Sequence, residues 1–98
     1  MQDIEQIINS EKPVLVDFFA TWCEPCKWVE PVLDELIKHS GERLTIIKID
    51  IDEYPEIARK HLIMSVPTLI LFKQGEIKWR MAGFKYATAL WEILEPLI

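Results

Sequence analysis

The sequence predicts an α/β fold, a mixed central sheet of about four strands with helices on both faces. Three observations carry this expectation. Val14-Leu15-Val16-Asp17-Phe18-Phe19-Ala20 is an almost unbroken apolar run with β-branched and aromatic residues, the pattern of a central strand covered on both sides. A helical segment and a second strand-like segment follow it, in the order of a parallel βαβ unit. Two further strand-like stretches then meet across Gln74-Gly75, the spacing of a two-residue β-hairpin.

Each element has its own signal. Ile4, Ile7 and Ile8 have helical spacing, and Asn9-Ser10-Glu11-Lys12-Pro13 ends that short helix in a loop. After the central strand, residues from about Pro25 to Ser40 form a second helix. Cys26, Val29, Leu33, Leu36 and Ile37 are assigned to its buried face, with Gly41 as its C-terminal cap. Pro31 lies inside this helix and cannot donate to the carbonyl of Lys27, which predicts a kink. Leu44 to Ile51 reads as the second strand. Pro55 followed by Ile57, Ala58, His61 and Leu62 reads as a short helix. Pro67 to Lys73 and Ile77 to Ala82 supply the hairpin strands, and Ala87, Leu90, Trp91 and Leu94 give the closing helix its buried face.

A chain of 98 residues, half of them apolar, suits one domain over residues 1–98 with one core, and no repeat or linker divides it. Eleven basic residues against sixteen acidic ones leave a formal charge of −5, which disfavours nucleic acid and anionic membrane as partners. The N-terminal segment Met1-Gln2-Asp3-Ile4-Glu5-Gln6 is acidic, and no apolar stretch approaches the roughly 20 residues that span a bilayer. Neither a signal peptide nor a membrane anchor is expected. Cytoplasmic residence follows as an expectation, and there a purely structural disulfide would be unusual.

The only two cysteines, Cys23 and Cys26, lie three residues apart, just after the central strand and at the mouth of the second helix. At a helix N-terminus the unpaired backbone N–H groups and the macrodipole favour an anion, so a Cys23 thiolate is stabilised there. Cys26, one turn further on, falls on the buried face and is shielded. That asymmetry suits a reaction in which Cys23 attacks a substrate disulfide and Cys26 resolves the mixed disulfide. Pro25 fixes the backbone between the sulfurs and suits the first helical turn. Other readings of the pair remain open: two buried core thiols, half of a zinc site completed by His39 and His61, or a metal or iron–sulfur cluster shared between two chains.

The surrounding residues resemble the thioredoxin family. Val16-Asp17-Phe18-Phe19-Ala20-Thr21-Trp22-Cys23-Glu24-Pro25-Cys26-Lys27 is similar to that family's strand, active-site turn and helix start, and Pro31 falls at its helix-kinking proline. Lys48-Ile49-Asp50-Ile51-Asp52, Val66-Pro67-Thr68-Leu69, Phe72-Lys73-Gln74-Gly75-Glu76 and Gly83 match later signals in the same order. The resemblance implies a thiol–disulfide oxidoreductase that reduces protein disulfides and serves electron transport and cell redox homeostasis. Its redox-active disulfide joins Cys23 to Cys26, without a bound cofactor or metal. Asp17 would help to move the proton of Cys26, with Lys48 close to it. A cis peptide is implied at Val66-Pro67, facing the cysteines and leaving the Val66 backbone free to pair with an extended substrate segment. Trp22, Val66, Pro67 and Gly83 would border the substrate surface, with Met64 and Ala82 as weaker candidates. The implied partners are protein disulfide substrates and an electron donor similar to thioredoxin reductase, and a monomer is expected. A disulfide oxidase or isomerase of the same fold and a non-catalytic binding module are the alternatives.

Two departures from the family pattern set further expectations. Glu24 stands where the family usually has glycine, and its carboxylate opposes a Cys23 thiolate, so Glu24 and Pro25 are assigned to redox tuning. The usual N-terminal strand is missing. The strand from Leu44 then becomes a sheet edge, where Lys48 and Asp50 discourage edge pairing. His39, His61, Trp28, Trp79, Tyr86 and Trp91 are assigned structural or solvated positions. Burial raises the proton affinity of Asp17 while Lys48 lowers it, so the sequence leaves the sign of the net shift open.

Overall fold

In the computed structural model, which describes residues 3–98, β1 (Val14–Phe19) occupies an inner position of a four-stranded sheet ordered β2-β1-β3-β4. Met1 and Gln2, which begin the acidic N-terminal segment, lie outside the described residues. β2 (Thr45–Asp50) pairs with β1 in parallel, with α2 (Glu24–Ser40) as the crossover. β3 (Thr68–Lys73) lies antiparallel on the other side of β1, and β4 (Glu76–Ala82) closes the hairpin. Gln74 and Gly75 both have positive φ, 53° and 82°, the backbone that a tight hairpin turn requires. Among the described residues β2 is an edge of the sheet, as expected.

Strand alternation sorts the core into two layers. On one face Leu15, Leu69 and Leu71 pack against Val29, Val32, Leu33 and Leu36 of α2 and Leu90 and Leu94 of α4 (Ala87–Leu94). On the other, Val14, Val16, Phe18, Ile49, Ile70 and Phe72 pack with Ile8 of α1 (Ile4–Ile8) and Ile57 of α3 (Pro55–Lys60). Each fully buried side chain of this size contributes roughly 1.5–3 kcal/mol. Asp17 shares the parity of Leu15 and therefore belongs to the face covered by α2.

Three helical expectations are corrected. Val32 rather than Ile37 completes the buried stripe of α2; Ile37 is half exposed. The stripe Val29-Val32-Leu33-Leu36-Ser40 advances by threes and fours, and Ile37, one residue past Leu36, is turned about 100° off it. α3 stops at Lys60, so His61 is its cap rather than a helical residue, and Leu62 leaves the helix with φ of 55° and an exposed side chain. The ring of His61 instead sits between Phe18 and Phe72, at centroid distances of 6.1 and 5.1 Å. α2 runs through Pro31 and ends at Gly41, whose φ of 56° suits the cap predicted for it.

Candidate active site

Cys23 is the N-cap of α2, and its Sγ accepts a hydrogen bond from the backbone N–H of Cys26 at 3.2 Å. The two residues form a disulfide, with their Cα atoms 5.4 Å apart. Cys26 is shielded as its position predicts, but Cys23 is equally covered, each keeping 5% of its surface. The difference between them therefore lies in what each sulfur faces. Cys23 Sγ lies against the helix N-terminus and 3.6 Å from the Val66 carbonyl oxygen. Cys26 lines a cavity of about 190 Å³ together with Phe19, Lys27, Glu30 and Lys48. An N–H aimed at Cys23 Sγ stabilises negative charge on that sulfur when the disulfide is open.

Asp17 is fully buried, and neither carboxylate oxygen has a hydrogen-bond partner among the described residues. Burial pushes its pKa up from 3.8 to about 6, against the pull of the Lys48 ammonium and with a smaller push from the Glu30 carboxylate. Desolvation wins the contest that the sequence left open. Lys48 stands directly opposite Asp17 in the parallel register of β1 and β2. Its ammonium, however, donates to Glu30 Oε1 at 2.6 Å and lies 4.6 Å from the centre of the Phe19 ring. Glu30 was not a sequence candidate. Its one available signal was its place four residues after Cys26, on the same side of α2. The bond from Lys48 holds the Glu30 carboxyl below the usual carboxylate range.

The peptide between Val66 and Pro67 is cis, and Val66 packs beside the cluster of Ala20, Cys23 and Cys26. This loop is anchored on both sides. Thr68 Oγ1 donates to the Ser65 carbonyl at 2.7 Å, and the Gly83 N–H donates to the Pro67 carbonyl at 2.9 Å. Gly83 is thereby tied to the Pro67 loop. Met64 and Trp22 are exposed, and the Trp22 indole N–H donates to Asp52 Oδ2 at 2.8 Å. Asp52, which orients that indole, was another residue without a separate signal in the sequence. Glu24 and Pro25 are exposed at the start of α2, and Glu24 Oε2 accepts from Lys27 Nζ at 3.4 Å. His39 stacks on Trp91 away from the cysteines. Among the described residues no group of three or more His, Cys, Asp or Glu side chains is arranged to hold a metal.

A disulfide that caps the helix following a central strand, with a buried, unpaired carboxyl on that strand and an anchored cis-proline loop against the cysteines, defines the class of thiol–disulfide redox proteins. Similarity to known proteins narrows the class. The thioredoxin family model matches residues 2–96. Thioredoxin of Bacillus subtilis is 49% identical over 86 residues, which cover 88% of this chain and 83% of that protein. The bifunctional thioredoxin reductase/thioredoxin of Mycobacterium leprae is 46% identical over 92 residues, 94% of this chain and 20% of the longer protein. The crystal structure of oxidised mitochondrial thioredoxin 3 from Saccharomyces cerevisiae superposes with a TM-score of 0.83 at 33% identity, covering 94% of this chain and 85% of the yeast chain. The chain belongs to the thioredoxin family. It is an enzyme of the protein-disulfide reductase type, and its redox group is its own Cys23–Cys26 disulfide rather than a cofactor. No helix among the described residues is long and apolar enough to cross a membrane.

Proposed function

We propose that this short Cys-Glu-Pro-Cys variant works as a single domain and reduces protein disulfides through a mixed disulfide at Cys23. The Cys23 thiolate attacks one sulfur of a substrate disulfide; the new Cys23–substrate bond forms as the substrate S–S bond breaks and releases one substrate thiolate. Cys26 then gives its proton to the Asp17 carboxylate and attacks Cys23 Sγ. The second substrate thiolate leaves, the substrate has gained two electrons, and the protein ends as the Cys23–Cys26 disulfide. The observation that most supports this order is the N–H of Cys26 aimed at Cys23 Sγ, because it favours negative charge on the attacking sulfur and offers none to the other.

With a pKa of about 6, Asp17 is mostly ionised at neutral pH yet binds a proton readily, as a proton acceptor for Cys26 must. An extended substrate segment lies along Val66 and Pro67 and pairs with the Val66 backbone, with Trp22 and Gly83 at its borders. A reductase returns the disulfide to the dithiol. The fusion named in Mycobacterium leprae supports such a donor by joining a reductase and a thioredoxin in one chain. The protein acts as a monomer in the cytoplasm, whose reducing poise suits net reduction.

The test is a Cys26→Ser variant, reduced and then exposed to oxidised proteins of a cell extract. Covalent adducts linked through Cys23 and released by dithiothreitol are expected. Absence of adducts, together with a wild-type pair that never cycles between dithiol and disulfide, would remove the proposal.

A further inference from the structure

The reductase reading leaves one charged side chain beside Cys26 without a role. Glu30 lies one helical turn after Cys26, and both line the cavity they share with Lys48 and Phe19. The Lys48 ammonium has two partners, the Glu30 carboxylate at 2.6 Å and the face of Phe19. Neither partner is Asp17, although Asp17 is the residue opposite Lys48 in the strand register. Asp17 is buried with both oxygens unpaired among the described residues. An ion pair reached by solvent adds little to stability. Its effect on a buried neighbour is another matter, because a field that crosses the low-dielectric interior is weakly screened.

We propose that Glu30 is a positioning residue: by holding the Lys48 ammonium in its own ion pair, it keeps that cation from becoming the counterion of Asp17 and leaves the Asp17 carboxylate free to take the proton of Cys26. The inference rests on the proton-accepting role given to Asp17 above. The charged groups acting on Asp17 are Lys48 from β2 and Glu30 from α2. From β3 the register partner is Leu69, which brings no charge. Lys48 lowers the proton affinity of Asp17 and Glu30 raises it. Removing the Glu30 charge acts in one direction twice over: it deletes a negative neighbour and releases a positive one.

The test compares Glu30→Gln with wild type by following the carboxyl carbon of Asp17 through a pH titration of the reduced protein by carbon-13 NMR. The Asp17 midpoint is expected to fall by roughly 0.5–1 pH unit. The pH midpoint of the resolving step, read by stopped flow from a preformed mixed disulfide, should fall with it. In a Lys48→Gln background the same Glu30→Gln change should lose about half of its effect or more, because the cation it releases is gone. An unmoved or raised Asp17 midpoint in Glu30→Gln overturns the proposal. So does an equal shift in both backgrounds, which would mean that Glu30 acts on Asp17 without Lys48. The titration contains no substrate, so it is separable from the reductase reading. Wild-type protein that reduces no protein disulfide would remove that reading while the Asp17 midpoint still reported on the ion pair.

Discussion

The two faces of the sheet are built from the same strands yet obey different rules. The face under α1 and α3 is apolar apart from Thr68, whose hydroxyl is bonded to the Ser65 carbonyl, and the His61 ring, which is packed against Phe18 and Phe72. The face under α2 and α4 is equally apolar at the Leu15 end, and then carries Asp17, buried and unpaired, two residues further along the same strand. A carboxylate in such a place destabilises the fold, because its water is removed and no partner replaces it. Among the described residues the chain buries three side chains with an unpaired polar atom, Ser40, His61 and Asp17, and the only carboxylate of the three lies on the face covered by α2.

The largest expected effect breaks the apolar face. Phe18→Ala should lower unfolding stability by about 3–5 kcal/mol in denaturant titrations. It should leave the reactivity of Cys23 unchanged in the fraction that remains folded, since Phe18 points away from α2.

Asp17→Asn should do the reverse. A carboxyl whose folded pKa is raised contributes stability that is whole below its unfolded value, 3.8, and lost as pH rises through about 6. A rise from 3.8 to about 6 corresponds to about 3 kcal/mol, so Asp17→Asn should gain up to that amount at pH 7 while slowing the resolving step. Its stability should no longer decline between pH 3.8 and about 6. What then remains of the pH dependence in the acid range should show the sign of His61. Burial lowers the pKa of that ring, so its contribution is present above 6.5 and lost on acidification. A wild-type protein whose stability rises steadily from pH 4 to 7 would contradict the assignment of Asp17 as a buried, unpaired acid.

The smallest effect lies outside both layers. Glu24→Gln should raise the reduction potential by less than roughly 20 mV, because the carboxylate is exposed and already paired with Lys27. A larger rise, measured against glutathione, would show that the turn between the sulfurs is a stronger electrostatic control than the buried layer beneath it.

Much of this was legible in the sequence because it rests on short-range pattern. The apolar run of β1, the hairpin across Gln74-Gly75 and the cysteine pair at a helix start all follow from neighbours in the chain. The cis bond at Val66-Pro67 came from family resemblance rather than from local physics. Three features were hidden because they depend on where distant segments land. Glu30 finds Lys48 eighteen residues away, and Trp22 finds Asp52 thirty residues away. His61 leaves its helix one residue early and enters a gap between two phenylalanines that only the assembled sheet creates. The net shift of Asp17 was a contest between burial and a cation, and its outcome needed the depth at which the assembled fold buries that carboxyl.

One further contact ties these regions together. Arg80, on the edge strand β4, donates through Nη1 to the His61 carbonyl and through Nη2 to the Leu62 carbonyl, each at 2.5 Å. The guanidinium closes the open end of α3 and fastens the start of the segment that leads to Val66 and Pro67, while the Thr68 and Gly83 bonds fasten its finish. In the docking mode proposed above, a substrate segment laid against Val66 would meet a mould that is already set. The entropy lost on such docking would fall on the visitor and not on the host, so flexible, locally unfolded disulfide loops would lose more on binding than ones already extended.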